Sequence, residues 1–165
     1  MLKRKGFTLV ELLVVIAIIA VLAGALLIAI NPQSLIQKSR DSKRLQDLDS
    51  LVKALTISIV EGEVLLGDVS VKNSGTGTRS LLGSGWVEYT IPVGKTGLSK
   101  YIPTLPIDPL NTGSNVYYFA STPTNFEIDA VLEHADNATK MTTDGGEDAG
   151  RFEVGTSLSV ILSGS

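Results

Sequence analysis

The stretch that decides the fold is Phe7 to Ile30, reading FTLVELLVVIAIIAVLAGALLIAI. From Leu12 to Ile30 it contains no charged or strongly polar side chain, and at 1.5 Å of rise per residue a helix of that run is about 28 Å long, the thickness of a bilayer's hydrocarbon core. It is long enough to span a membrane. Glu11 stands at the edge of this run, and carrying a carboxylate into a membrane helix costs roughly 2.5 to 3.5 kcal/mol. Such a residue needs a partner. The stretch is entered through Met1-Leu2-Lys3-Arg4-Lys5-Gly6. If the chain is cut after Gly6, Phe7 carries a free, positive α-amino group one helical turn from Glu11.

The order of a short basic leader (Lys3, Arg4, Lys5), a small residue (Gly6), Phe7-Thr8-Leu9-Val10-Glu11 and then an apolar helix resembles the class III signal of type IV prepilins and of the pseudopilins of type II secretion systems. The resemblance covers roughly the first 55 residues. It implies that a prepilin peptidase and methyltransferase cuts between Gly6 and Phe7 and methylates the amine of Phe7, with the leader on the cytoplasmic side. An ordinary secretory signal has a shorter apolar core with its small-residue cleavage site after it, whereas here the small residue comes first. A plain signal anchor leaves Glu11 without a purpose. Loop charge does not orient the span, because Lys38, Arg40, Lys43 and Arg44 follow it closely.

With about 30 of the 165 residues given to leader and span, the remainder suffices for one small domain. The whole chain carries 14 basic and 17 acidic side chains. From Pro103 onward there are two basic residues, Lys140 and Arg151, against nine acidic ones, so no general nucleic-acid-binding face is expected. There is no cysteine, which excludes a disulfide, a thiolate zinc site and a cysteine nucleophile. Many Gram-negative type IV pilins close their C-terminal region with a disulfide, and this chain departs from that pattern. The single histidine, His134, ends an alternating stretch and reads as a solvent-exposed strand-end residue.

Asn31-Pro32 is expected to kink the helix rather than end it, because apolar residues resume at helical spacing: Leu35, Ile36, Leu45, Leu48, Val52, Leu55 and Ile59, with Lys38, Arg40, Asp41, Lys43, Arg44, Asp47 and Asp49 largely on other faces. One helix from Phe7 to about Ile59 is expected, stopped by a left-handed cap at Gly62. Asp68 to Gly85 reads as a surface connection with room for a short strand or turn. Trp86–Ile91 has strand character. Val116–Ser121, the turn Thr122-Pro123-Thr124-Asn125 and Phe126–Glu133 form a hairpin. Its second arm alternates Phe126, Ile128, Ala130 and Leu132 with Glu127, Asp129, Val131 and Glu133, which predicts one buried and one largely wet face. The prolines of Tyr101–Pro109 predict a packed, extended loop.

The tail from Thr142 to Thr156 is the other stretch with chemical content. Asp144, Glu147 and Asp148 lie within five residues, interleaved with glycines, and can wrap oxygens around a hard cation such as Ca²⁺. A solvated acidic turn is the alternative. Major pseudopilins bind calcium in a C-terminal loop, and the resemblance puts Asp144, Glu147 and Asp148 in the matching positions. Asn137-Ala138-Thr139 matches the glycosylation sequon, a pattern short enough to arise by chance.

The expected architecture is α+β and type IV pilin-like: a long N-terminal helical spine, transmembrane in its first half and amphipathic in its second, packed on a small antiparallel sheet. The divisions are a leader at 1–6, a transmembrane half at 7–30, an amphipathic half at 31–60 and a globular domain at 61–165. The resemblance implies a structural subunit of a type IV pilus or pilus-like filament, with a major pseudopilin as the alternative, and no enzyme. Its partners would be the prepilin peptidase, membrane lipid, an inner-membrane assembly platform, and identical and related subunits. Before assembly it would sit in the inner membrane as a single-pass protein, and afterwards in a surface or periplasmic filament. A reading from another class is a membrane-anchored enzyme or ligand-binding domain, against which stands the lack of a histidine cluster, nucleophile motif or phosphate loop.

Overall fold

Helix α1, Leu9–Ile30, begins where its sequence supplies a cap: Thr8 is extended (φ −82°, ψ 155°), and its hydroxyl accepts the backbone N–H of Glu11. The structure, a computed structural model, describes residues 6–161. The basic leader residues Lys3, Arg4 and Lys5 therefore lie outside the described residues. The chain divides into two units, Met1–Ile36 and Gln37–Ser165. In the first, Leu9–Leu27 is long and apolar enough to cross a membrane, and every side chain from Gly6 to Leu27 is exposed.

The single helix expected from Phe7 to Ile59 is two helices. Asn31 adopts the left-handed conformation, with φ 46°, and helix α2 runs Pro32–Val60. Asparagine tolerates that conformation better than most residues. Pro32 then occupies the first turn of a new helix, where its missing N–H costs nothing. The Asn31 carbonyl accepts the N–H of Ser34 at 3.1 Å. At the other end Gly62 takes φ 65°, as its cap role required, and Ser58 O receives the N–H of Glu63 at 2.8 Å.

In the second unit four antiparallel strands stand in the order β1-β2-β3-β4: Val69–Asn73, Tyr117–Ser121, Phe126–Ala130 and Phe152–Gly155. The hairpin is in the expected register, with Tyr117 opposite Ala130 and Ser121 opposite Phe126. Phe119, Phe126, Ile128 and Ala130 on one face share a core with Leu48, Leu51, Ala54 and Leu55 of α2. The buried stripe of α2 is turned from the expected one. Leu45, Val52 and Ile59 are half-buried, while Asp41, Arg44, Leu48, Leu51, Leu55 and Ser58, spaced by three and four, are buried.

Three other expectations are corrected. Trp86–Ile91 is not a strand of the sheet, because its backbone bonds go to neighbouring loops: Trp86 N–H to Thr78 O at 2.9 Å, and Thr90 N–H to Leu65 O at 2.9 Å. The edge strand comes instead from Val69–Asn73, inside the segment read as a connection. Trp86 is fully buried, its indole N–H donating to Pro106 O at 2.9 Å. The second face of β3 is not wet: Glu127 and Asp129 are 0% and 1% exposed, because the chain after β4 folds over it. His134 is buried rather than exposed. Its backbone N–H donates to Asp41 Oδ2 at 2.9 Å, and its Nδ1 accepts from Asp136 N–H.

Candidate functional site

Three groups of residues have chemical content, and the first is the entry to α1. Gly6 and Phe7 are exposed, Phe7 at 81%. Glu11 is the third residue of α1, and its Oε2 accepts both the backbone N–H of Thr8 at 2.8 Å and the Thr8 hydroxyl at 2.7 Å. With the reciprocal bond from Glu11 N–H to the Thr8 hydroxyl, this is a capping box. Two otherwise unpaired donors at the helix start are thereby satisfied. One carboxylate oxygen does all the accepting, and among the described residues Oε1 has no partner.

The second group joins α2 to the globular domain. Arg44, fully buried, holds Asp108 with a two-pronged contact, Nε to Oδ2 at 2.6 Å and Nη2 to Oδ1 at 3.0 Å, and donates through Nη1 to Asp41 and Glu133 at 2.9 and 2.8 Å. Arg40 also pairs with Glu133. Asp41 further accepts the backbone N–H groups of Glu133 and His134 and the amide of Asn137. Burial raises the pKa of Asp41, but the donors from Glu133, Asn137, His134 and Arg44 outweigh it and hold the carboxyl below the ordinary range. Glu133 is likewise lowered, burial being outweighed by Arg40 and Arg44. Lysine at position 44 would lack the planar fork that engages Asp108 from two nitrogens. The loop Tyr101–Pro109 is thus held against α2 through the pairing of Asp108 with this guanidinium. The sequon residue Asn137 is spent on the same cluster. The sequence pattern sets Asp41 and Arg44 off the apolar stripe of the helix, whereas both are fully buried. The overlooked signal is that Asp41 and Arg44 continue the buried stripe Leu48, Leu51, Leu55 at the same spacing.

The third group is acidic. Asp144, Glu147 and Asp148 are not gathered around one point. Asp144 accepts the N–H groups of Gly146 and Glu153 at 3.0 and 2.9 Å, Asp148 accepts that of Gly150 at 2.9 Å, and Glu147 is exposed. What the fold gathers instead is Glu127, Asp129 and Glu153, one oxygen of each lying within 4.8 Å of the others. Asp129 and Glu153 face one another across the ladder. Burial, then the charges of Glu127 and Glu153, push Asp129 up to about 8. Burial chiefly, with Glu127 and Asp144 adding to it, pushes Glu153 up to about 7. Sequence reading missed this trio because Glu153 is remote from the hairpin and its pairing partner was unknown.

An apolar helix with an acidic capping box at its entry, followed by a helix packed on a four-stranded antiparallel sheet, defines a pilin-like α+β protein. Residues 1–27 match the prokaryotic N-terminal methylation motif, the signal of type IV pilins and pseudopilins. No curated protein sequence and no solved structure matches the chain. The motif and the single N-terminal apolar helix support membrane anchoring, processing by a prepilin peptidase, and a pilin-like or pseudopilin subunit.

Proposed function

We propose that this protein is a structural, non-catalytic subunit of a type IV pilus or pilus-like filament, cleaved between Gly6 and Phe7, methylated on the Phe7 amine and polymerised through α1. The observation that carries this reading is the methylation motif set directly on an apolar helix whose described side chains are all exposed. In the membrane, lipid covers that surface. In a filament, the same surface is covered by neighbouring copies, and Glu11 meets the amino terminus of an adjacent subunit. Pairing there removes the cost of a lone carboxylate in an apolar environment. The Thr8 bonds leave Oε1 available for this contact, so the helix cap and the intersubunit pair are compatible.

A major pseudopilin of a type II secretion system would share all of these parts, and the location of the filament separates the two. Intact-mass and N-terminal analysis of protein sheared from cells tests the proposal. The expected chain begins at N-methylated Phe7. A mature chain beginning elsewhere, for instance after an alanine beyond the span, would overturn it, and a processed chain retained in a periplasmic assembly would favour the secretion reading.

A further inference from the structure

The second face of the sheet holds a buried acidic group that filament assembly does not use. Glu127 and Asp129 are two residues apart on β3, so both side chains stand on the face away from α2, and Glu153 of β4 lies opposite Asp129. All three are at most 1% exposed, and one oxygen of each lies within 4.8 Å of the others. Glu127 Oε2 accepts the N–H groups of Val160 and Ile161 at 2.6 and 2.8 Å, and Glu153 Oε2 accepts that of Asp148 at 3.1 Å. These bonds fasten the chain after β4, and the loop before it, to the sheet. Among the described residues, Glu127 Oε1, Asp129 Oδ1 and Glu153 Oε1 are buried with no hydrogen-bond partner.

The charges around the trio do not neutralise it. Among the described residues the nearby cation is Arg151, just before β4. Its Nη1 lies 3.5 Å from Asp129 Oδ2, its Nε lies 3.4 Å from Asp148 Oδ2, and its guanidinium sits 4.1 Å from the centre of the Tyr118 ring on β2. The loop ahead of Arg151 adds Asp144, Asp148 and the exposed Glu147, and the short helix α3, Ala138–Thr143, brings only the exposed Lys140. Thr156 to Ile161 carries no charge. Three carboxylates out of water, against one guanidinium that is itself shared, cannot all ionise, because burial and like charge both favour the neutral acid. A carboxyl that keeps its proton has a donor to offer, and an orphan oxygen beside it accepts. Held protons thus complete the hydrogen bonding that these oxygens otherwise lack.

We propose that Glu127, Asp129 and Glu153 form a proton-operated latch: protonated, the trio holds β4 and the chain on either side of it closed on the sheet, and ionised, it lets that chain open. The direction follows from where the protons go. Burial first, then the charges of Glu127 and Glu153, raise Asp129 to about 8, and burial chiefly raises Glu153 to about 7. Once the latch opens and water reaches them, both return to about 4. Between about pH 4 and about pH 8 the closed form therefore holds protons that the open form releases. Closure is strongest at the acid end of that window, weakens as pH rises through neutrality, and is weakest above it. Each proton involved raises the opening constant by up to about tenfold per pH unit. The packing makes the repulsion act on the backbone: a Cβ on Gly146 would overlap the Glu153 carboxylate, so that group cannot swing away in that direction while the loop is closed. The sign is opposite to that of the Arg44 cluster, where Asp41 and Glu133 are held ionised. The latch stands whichever filament the chain enters.

The test is hydrogen exchange of the full chain in detergent from about pH 6 to about pH 9, each rate being divided by the intrinsic rate at that pH, with β2 as the internal reference. Protection over residues 152–161 should fall by at least about tenfold across this range while β2 keeps its own. The double variant Asp129→Asn with Glu153→Gln keeps shape and removes both titrating groups, so its protection should stay level. Glu147→Gln, in the exposed loop, should fall as the wild type does. A measurement on the wild type alone covers the case in which the double variant folds poorly: infrared difference spectra over the same range should show buried protonated carboxyls losing their protons. Level protection in the wild type overturns the proposal, as does a fall that persists in the double variant or that Glu147→Gln alone abolishes. Infrared spectra without a protonated carboxyl at about pH 6 overturn it as well.

Discussion

Glu11 serves two roles that one substitution can separate. Its carboxylate completes the capping box with Thr8, and the proposed assembly contact needs its charge. Glutamine fits a capping box as well as glutamate does, so Glu11→Gln removes the charge and keeps the cap. Glu11→Leu removes both. The cap is worth about 1 kcal/mol, by analogy with measured cap losses. A carboxylate and an ammonium about 4 Å apart attract by about 4 kcal/mol at an effective dielectric constant of roughly 20, which is about a thousandfold in an equilibrium constant. If charge pairing drives subunit addition, both variants should insert, be cleaved after Gly6, and fail to enter filaments. Leucine should insert more readily, since roughly 2.5 to 3.5 kcal/mol of insertion cost disappears. The assay is an immunoblot of sheared and membrane fractions with the cleaved and uncleaved forms resolved. Wild-type assembly by Glu11→Gln would refute the charge argument and leave Glu11 as a helix cap. Wild-type assembly by Glu11→Leu would show that assembly needs neither the charge nor the cap.

Arg44→Met should lower unfolding stability by about 3 to 5 kcal/mol, because Asp41, Asp108 and Glu133 lose their buried counter-charge; denaturant titration of the full chain in detergent measures this, and a loss under about 1 kcal/mol would show that the cluster relaxes at little cost. The pH dependence of that cluster has a defined sign. Glu133 has a lowered folded pKa, so its stabilisation is full above the unfolded value of about 4.3 and is lost as pH falls through the folded one. The melting-temperature gap between wild type and Glu133→Gln should therefore close in acid, and a constant gap down to about pH 2 would contradict the assignment. Gly146→Ala should destabilise the C-terminal region, since the added methyl meets the Glu153 carboxylate; hydrogen exchange should rise in β4 ahead of β2, and unchanged protection there would show that the loop shifts freely. Leu51→Ala, at the fully buried junction of α2 and the sheet, should cost about 2 to 5 kcal/mol by equilibrium unfolding, and a smaller loss would mean that the core closes around the cavity.

The sequence by itself determined what is local. The apolar run after Glu11, the Gly62 stop and the Val116–Glu133 hairpin all follow from spacing and turn chemistry within a few residues, and the methylation signal is contiguous over residues 1–27. Asn31 marks the limit of that reasoning: Pro32 announced a disturbance, but whether the helix bends or restarts depends on a backbone angle that neighbouring residues leave open. The tertiary structure alone decided which polar residues are buried. Arg44 and Asp108 are 64 positions apart, and Asp129 meets Glu153 because β4 returns beside β3. A charged residue reads as solvent-facing until its partner is known. An ion pair, a converging set of carboxylates and a covered sheet face are properties of chain crossings, fixed only when remote segments share one core.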